Sequence, residues 1–275
     1  MNKEAKLTLK IYSKDTKREW NRLVRDPYHK LEFDTTMRFL KKYLPKKGLI
    51  LDAGGGPGRY SIELANLGYD VVLLDFVPAN LELANKMIKK HKVVNKIKDV
   101  LQGSITDLSK YKDNTFDAVL CLGGPLSHVH PESERKKAVN ELTRVAKKNA
   151  PIFISVMGKF GVLMCGPVRW VNEIELNSFE KFSLFGDDYL WHGGQAFAHY
   201  FELEELKNLF DKNKVNFVEN VGLEGLATTC QEAINKMAGY HKKAWKNWLQ
   251  AHERLCTHPT VVDSSMHFMV IARKK

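Results

Sequence analysis

Leu49-Ile50-Leu51-Asp52-Ala53-Gly54-Gly55-Gly56-Pro57-Gly58-Arg59-Tyr60-Ser61 is an apolar run that meets a glycine-rich turn and then a stretch with helical character. Three glycines at alternate positions, Gly54, Gly56 and Gly58, leave the backbone bare where any Cβ would keep a ligand away. The spacing is discriminating. A dinucleotide fingerprint needs G-x-G-x-x-G, but the sixth position counted from Gly54 is Arg59 and from Gly56 is Ser61. A Walker A loop needs Gly-Lys-Ser/Thr, which is missing from the stretch.

Outward from this turn the chain alternates. Apolar runs at Leu49–Ala53, Asp70–Phe76, Asp99–Gly103, Phe116–Gly123 and Ile152–Met157 have the length of buried strands and no polar face. Between them lie helix-period stretches, with Leu81, Ala84 and Ile88 on one face and Ala138, Leu142 and Val145 on another. Phe33, Met37, Leu40 and Leu44 do the same ahead of the first strand. This rhythm predicts an α/β fold, a doubly wound, mostly parallel sheet with helices on both faces. Further on, Leu203, Leu206 and Phe210 mark a helix, and Asn216–Gly222 and Ser264–Lys274 two closing strands that pair if the chain between them loops out. The aromatic-rich segments 159–198 and 223–262 fit no strand–helix unit and read as an inserted cap lobe that binds the acceptor. The expected organisation is a helical lid over 1–45, a sheet domain over 46–158 and 199–275, and the two cap segments.

The loop matches Asp-x-Gly-x-Gly-x-Gly, and here the sequence resembles the class I S-adenosylmethionine-dependent methyltransferases, closely over Leu49–Gly158. Asp75 stands at the end of the next strand, 17 residues after Gly58, where a carboxylate can accept from two ribose hydroxyls. Gln102-Gly103-Ser104-Ile105-Thr106-Asp107 is similar to the family's adenine loop, and Phe116–Gly124 to its fourth strand, with Leu122 and Gly123 beside the methionine moiety. The resemblance implies seven strands with an antiparallel last one, S-adenosyl-L-methionine as cofactor, and a cofactor site made of Asp52, Gly54, Gly56, Gly58, Asp75, Phe76, Gly103, Ser104, Ile105, Leu122 and Gly123. The glycine run also resembles aminopropyltransferases of the same fold, but those carry a further acid where this chain has Gly123-Gly124-Pro125.

Composition narrows the setting. At 275 residues, 44% hydrophobic and 27% charged, the chain can bury a sizeable core, which excludes disorder and disulfide-stapled mini-folds. Its 43 basic and 32 acidic residues give a net charge of +11, so partners must be weighed. The lysines fall in scattered pairs such as Lys41-Lys42, Lys46-Lys47 and Lys242-Lys243, which reads as a solvated surface rather than a nucleic-acid groove. Cys121, Cys165, Cys230 and Cys256 show no CxxC spacing, so no metal site is expected and reduced thiols in a cytoplasm fit best. No window is apolar enough for a signal peptide or a membrane span.

Methyl transfer from a sulfonium is an in-line displacement, in which protein groups position the acceptor and, where it arrives protonated, remove its proton. His128, in the loop after strand four, is the candidate base. Trp191, His192, His199 and Tyr200 in the cap, with Tyr28 and His29 in the lid, are the candidate acceptor contacts. The implied activity is transfer to nitrogen, oxygen or sulfur of a small-molecule acceptor. The alternative is an RNA (tRNA or rRNA) or protein methyltransferase that uses its basic surface.

Overall fold

The computed structural model describes residues 3–188 and 197–275. Three helices, α1 (Lys3–Tyr12), α2 (Thr16–Arg22) and α3 (Pro27–Tyr43), precede an alternating run: β1 (Leu49–Ala53), α4 (Arg59–Asn66), β2 (Asp70–Asp75), α5 (Pro78–Lys90), β3 (Ile97–Gln102), β4 (Ala118–Cys121), α6 (Glu132–Val145) and β5 (Pro151–Met157). Helices α7 (Lys159–Arg169), α8 (Val171–Ile174) and α9 (Ser178–Phe185) follow, then a ribbon of β6 (Asp187–Asp188) and β7 (Ala198–His199), α10 (Leu203–Asn208) and β8 (Val215–Gly222). Helices α11 (Gln231–Tyr240), α12 (Lys242–Leu255) and α13 (Pro259–Asp263) lead to β9 (His267–Lys274).

The main sheet has seven strands in the order β3-β2-β1-β4-β5-β9-β8. All pairs from β3 to β5 are parallel, and β9 runs antiparallel to both β5 and β8. Alternate side chains feed opposite cores, as the period of two requires. Leu51, Val119, Ile152 and Ile154 pack with Ala138, Leu142 and Val145 of α6, while Ile50, Leu120 and Phe153 pack with Met37, Phe39 and Leu40 of α3. Strand β4 is shorter than the apolar run that announced it. Phe116 forms only an isolated bridge to Ala146, and Gly123 turns to φ +81°, outside extended backbone.

Apart from the β6–β7 ribbon, the described parts of segments 159–198 and 223–262 are mainly helical, and Cys165 Sγ donates to the Thr228 carbonyl at 3.2 Å, joining them. Ile234, Trp245 and Trp248 pack on Tyr28 and Leu31 of α3, so the second segment buttresses the N-terminal helices from behind. Cys121 is fully buried in β4, where burial pushes its thiol up to about 12, a core residue rather than a nucleophile.

Candidate active site

At the carboxyl ends of β1, β2 and β4, where a doubly wound sheet opens to ligands, lies a cavity of about 590 Å³. Its floor is the glycine loop. Gly54 and Gly56 take left-handed φ of +79° and +56°, and a Cβ on Gly54 would stand 2.5 Å from Pro125, so only glycine fits there. A Cβ on Gly56 would meet nothing nearer than 3.9 Å, which leaves that side of the loop open to the cavity. Gly58, also left-handed, caps α4, and a Cβ on it would press Leu73 at 3.1 Å. It serves helix–strand packing and is not on the cavity wall.

The two aspartates of the motif part company. Asp75 is on the wall, and its carboxylate accepts from Gly56 N at 2.8 Å, Val77 N at 2.9 Å and Asn80 Nδ2 at 3.2 Å. Two of these bonds fall on Oδ1 and one on Oδ2, so they fix the plane and leave one acceptor site open on Oδ2, since a carboxylate offers about four. Asp52 differs from the expectation that it contacts the cofactor. It is fully buried under the loop, accepts from Ser61 Oγ at 2.6 Å, and a Cβ on Gly55 would meet its oxygen at 2.5 Å. Burial raises its carboxyl to about 6, so it props the turn from beneath rather than facing the cavity.

Phe76, Gly103, Ser104 and Ile105, in the loops after β2 and β3, and Leu122 and Gly123, after β4, all line the cavity. Gly123 N–H donates to Ser155 Oγ of β5 at 2.8 Å, and Met157 N–H to Ser127 Oγ at 3.1 Å, which pins the single-turn helix Pro125–His128 to the sheet. His128 lines the cavity. Its Nδ1 is 2.9 Å from the Phe197 carbonyl, which only accepts, so Nδ1 carries the hydrogen and Nε2 takes the Tyr12 hydroxyl at 2.7 Å.

The roof is formed by helices of the 1–45 segment read as a lid, and not by the described parts of the two segments read as a cap. Among the described residues, neither 159–188 and 197–198 nor 223–262 contributes to the wall, which is closed instead by α1 and α2 through Ala5, Thr8, Tyr12, Glu19, Arg22 and Leu23. Tyr28 is buried with its hydroxyl donating to the Thr228 carbonyl, and His29 pairs with Asp26. His199 and Tyr200 are buried in the core behind Phe197, and His199 holds Asp187 at 2.7 Å and Glu205 at 2.5 Å. None of these four reaches the cavity; each was predicted from its neighbours in sequence, and each finds its partners elsewhere in space. Trp191 and His192 lie outside the described residues. Ala5, Thr8 and Tyr12 share a face at helical spacing, and this is the face α1 turns to the cavity, whereas the lid reading singles out Tyr28 and His29.

Arg22 is held on both sides, its Nε on Glu19 at 3.1 Å and its two terminal nitrogens on Glu32 at 2.6 and 3.0 Å. A Cβ on Gly123 would stand 3.2 Å from Arg22 Nη2, so the guanidinium lies directly over the turn after β4. Arg59 stacks over Trp20 at 4.0 Å and donates to its carbonyl at 2.8 Å, locking α2 to the start of α4.

A family model described as a methyltransferase domain matches residues 50–149. A glycine/sarcosine N-methyltransferase of Parasynechococcus marenigrum is 30% identical over 144 residues, 52% of this chain and 49% of that protein. The human EEF1A lysine methyltransferase 2 is 30% identical over 154 residues, 53% of this chain and 58% of its own. The chain thus spans about half the length of the curated relatives it matches. Among solved structures, an S-adenosylmethionine-dependent methyltransferase from Methanosarcina mazei superposes with a TM-score of 0.57 at 21% identity, covering 86% of this chain and 96% of that one.

Proposed function

We propose that this chain, which belongs to the class I S-adenosylmethionine-dependent methyltransferases, methylates a nitrogen, oxygen or sulfur of a small-molecule acceptor, an amine first among them. The observation that carries the small-molecule reading is the cavity itself. About 590 Å³ under a roof of α1 and α2 must take both cofactor and acceptor, which is the size range of one drug-sized ligand. A glycine/sarcosine N-methyltransferase among the relatives, and Glu19 and Glu134 on the wall, favour an amine.

The residues present fit the cofactor: an open face at Gly56, a fixed carboxylate with one open acceptor site on Oδ2 at Asp75, and Phe76 and Ile105 on the wall as apolar contacts for a flat base. Glu19 and Arg22 present one carboxylate and one guanidinium on the same face of α2, complementary to the ammonium and carboxylate of an amino-acid end. When bound, S-adenosylmethionine supplies a sulfonium-activated methyl group. The chain's own task is then to align the acceptor, exclude water and take up one proton. Tyr12 and His128 do the last. As the acceptor nitrogen gains a carbon, its N–H proton passes to the Tyr12 oxygen while the Tyr12 proton passes to His128 Nε2, leaving a neutral phenol and an imidazolium. The Phe197 carbonyl on Nδ1 holds the tautomer that makes Nε2 the acceptor.

The test is transfer of labelled methyl from S-adenosylmethionine by the purified protein to a small-amine pool, a tRNA fraction and a protein fraction in parallel. Label in the small-amine pool is the expected result. Label confined to either macromolecular fraction would overturn the reading.

A further inference from the structure

Behind Arg22 a chain of ionised groups runs through the interior to the far edge of the sheet. Glu32 of α3 takes both terminal nitrogens of Arg22, and its Oε2 lies 3.8 Å from Nδ1 of His267 on β9. His267 Nδ1 donates to Glu224 Oε1 at 2.6 Å, and its backbone N–H to Glu224 Oε2 at 2.8 Å. Glu32 and Glu224 are each only 2% exposed. The two buried carboxylates, Glu32 and Glu224, are matched by Arg22 and His267, the condition under which such groups tolerate removal from water, while Glu19 meets Arg22 at the cavity side. The set Glu32, Glu224 and His267 offers ligand atoms within 4.8 Å of one another, as a metal site would, but Arg22 and His267 already engage the oxygens of both carboxylates.

We propose that His267 and Glu224 are positioning residues that hold Glu32, and through it the Arg22 guanidinium, at the cavity wall for an amino-acid end of the bound ligand. The inference rests on the cofactor-binding reading above. Its physical basis is that a bidentate arginine is only as fixed as the carboxylate it grips. Among the described residues Glu32 is held by side chains alone, by Arg22 in front and by the imidazolium behind. Burial opposes the charge on His267, but the facing Glu224 and Glu32 carboxylates raise its pKa against the neighbouring Arg22. His29 and Tyr60 face Glu32, and Tyr28 faces Glu224. Loss of the His267 proton leaves both buried carboxylates, Glu32 and Glu224, to the one guanidinium, and Arg22 is drawn inward against the pull of Glu19, away from the cavity.

Calorimetry with S-adenosylhomocysteine provides the test. His267→Gln should weaken binding about tenfold and raise KM for the cofactor with kcat at saturation little changed. His267→Gln with Glu224→Gln removes one charge of each sign and should recover most of that loss, which a merely structural role for the pair would not do. A double variant as weak as the single, or weaker, overturns the proposal. Arg22→Gln separates the two readings: if it binds as wild type, the placement of an amino-acid end at Arg22 fails. If Arg22→Gln weakens binding and His267→Gln does not, only the relay fails. Should His267→Gln not fold, wild-type affinity decides, falling as pH rises through the His267 pKa while Arg22→Gln stays flat; a flat wild-type profile overturns the relay.

Discussion

Asp52 and Asp75 end neighbouring strands of one motif, yet their environments give them opposite tasks. Asp75 accepts three hydrogen bonds and keeps a face on the cavity, so Asp75→Ala should weaken S-adenosylhomocysteine binding by about 2–3 kcal/mol, the worth of charge-assisted bonds, with calorimetry as the measure. Asp52, raised to about 6 by burial, binds its proton more tightly folded than unfolded. Stability linked to that proton is therefore fully present below the unfolded pKa near 4 and is lost as pH rises through about 6. A shift of this size corresponds to roughly 3 kcal/mol. Asp52→Asn should flatten the decline of Tm between pH 4 and 7 and raise Tm at pH 8; a variant that tracks wild type across that range would show that Asp52 does not titrate there. At the third residue of interest, His128→Gln should lower kcat by about 10²–10⁴-fold, and Tyr12→Phe should do the same if the proton passes through the phenol. Full activity in Tyr12→Phe would leave His128 acting alone. Sequence spacing reveals Gly54, Gly56 and Asp75 because the glycine turn is a local constraint, whereas Asp52 belongs to the same pattern for a different reason, support from beneath.

Among the elements, α1 decides how closed the site is. It buries none of its own residues, and it reaches the rest of the fold through Tyr12 on His128 and the face bearing Ala5 and Thr8. Deleting 1–13 should therefore cost only about 1 kcal/mol, a Tm shift of roughly 2–4 °C, while cofactor affinity drops at least tenfold as the roof is lost. Unchanged affinity in the truncated protein would assign the closure to other elements. The alternation of strands and helices from β1 to β5 is legible in sequence because each run carries its own period, and β1 in the structure spans the predicted Leu49–Ala53. A helical lid over 1–45 is expected from the sequence, but the contacts that seat it are not legible in the same way. Its helices are placed by Arg59 on Trp20 and by Arg22 on Glu32, contacts between residues 39 and 10 positions apart whose partners no periodicity names. The β6–β7 ribbon was predicted to offer His199 to an acceptor, but its two carboxylate partners raise the His199 pKa and make it a charged tie to α10. That tie stabilises the fold fully below the unfolded histidine pKa and weakens as pH rises through the raised one.

For the molecule as a whole the question is where +11 of charge goes. Lys41, Lys42, Lys89, Lys90, Lys242 and Lys243 are exposed on separate helices, whereas Arg135 of α6 is buried and donates to the Val129 carbonyl. Among the described residues no lysine lines the cavity, where Arg22 and Arg59 meet Glu19, Asp75 and Glu134. The positive charge is thus spread over the outside and does not converge on the place where chemistry would occur. A polyanionic substrate requires the reverse, a basic track leading to the reactive atom. Dispersed lysines still release counterions from any nucleic acid they touch, so the protein should bind single-stranded RNA weakly and without sequence preference. Log affinity should then fall against log salt with a slope near −0.7 per phosphate contacted. That binding should vanish near physiological salt, and the rate of methyl transfer to a small amine should be nearly independent of ionic strength, because Glu19 and Arg22, the charged residues that the roof turns to the cavity, offset one another. Filter binding across a salt series, run beside the transfer assay, makes the comparison. Salt-resistant binding to one RNA sequence, together with transfer that slows as salt rises, would move the catalytic partner from the small molecule to the polyanion.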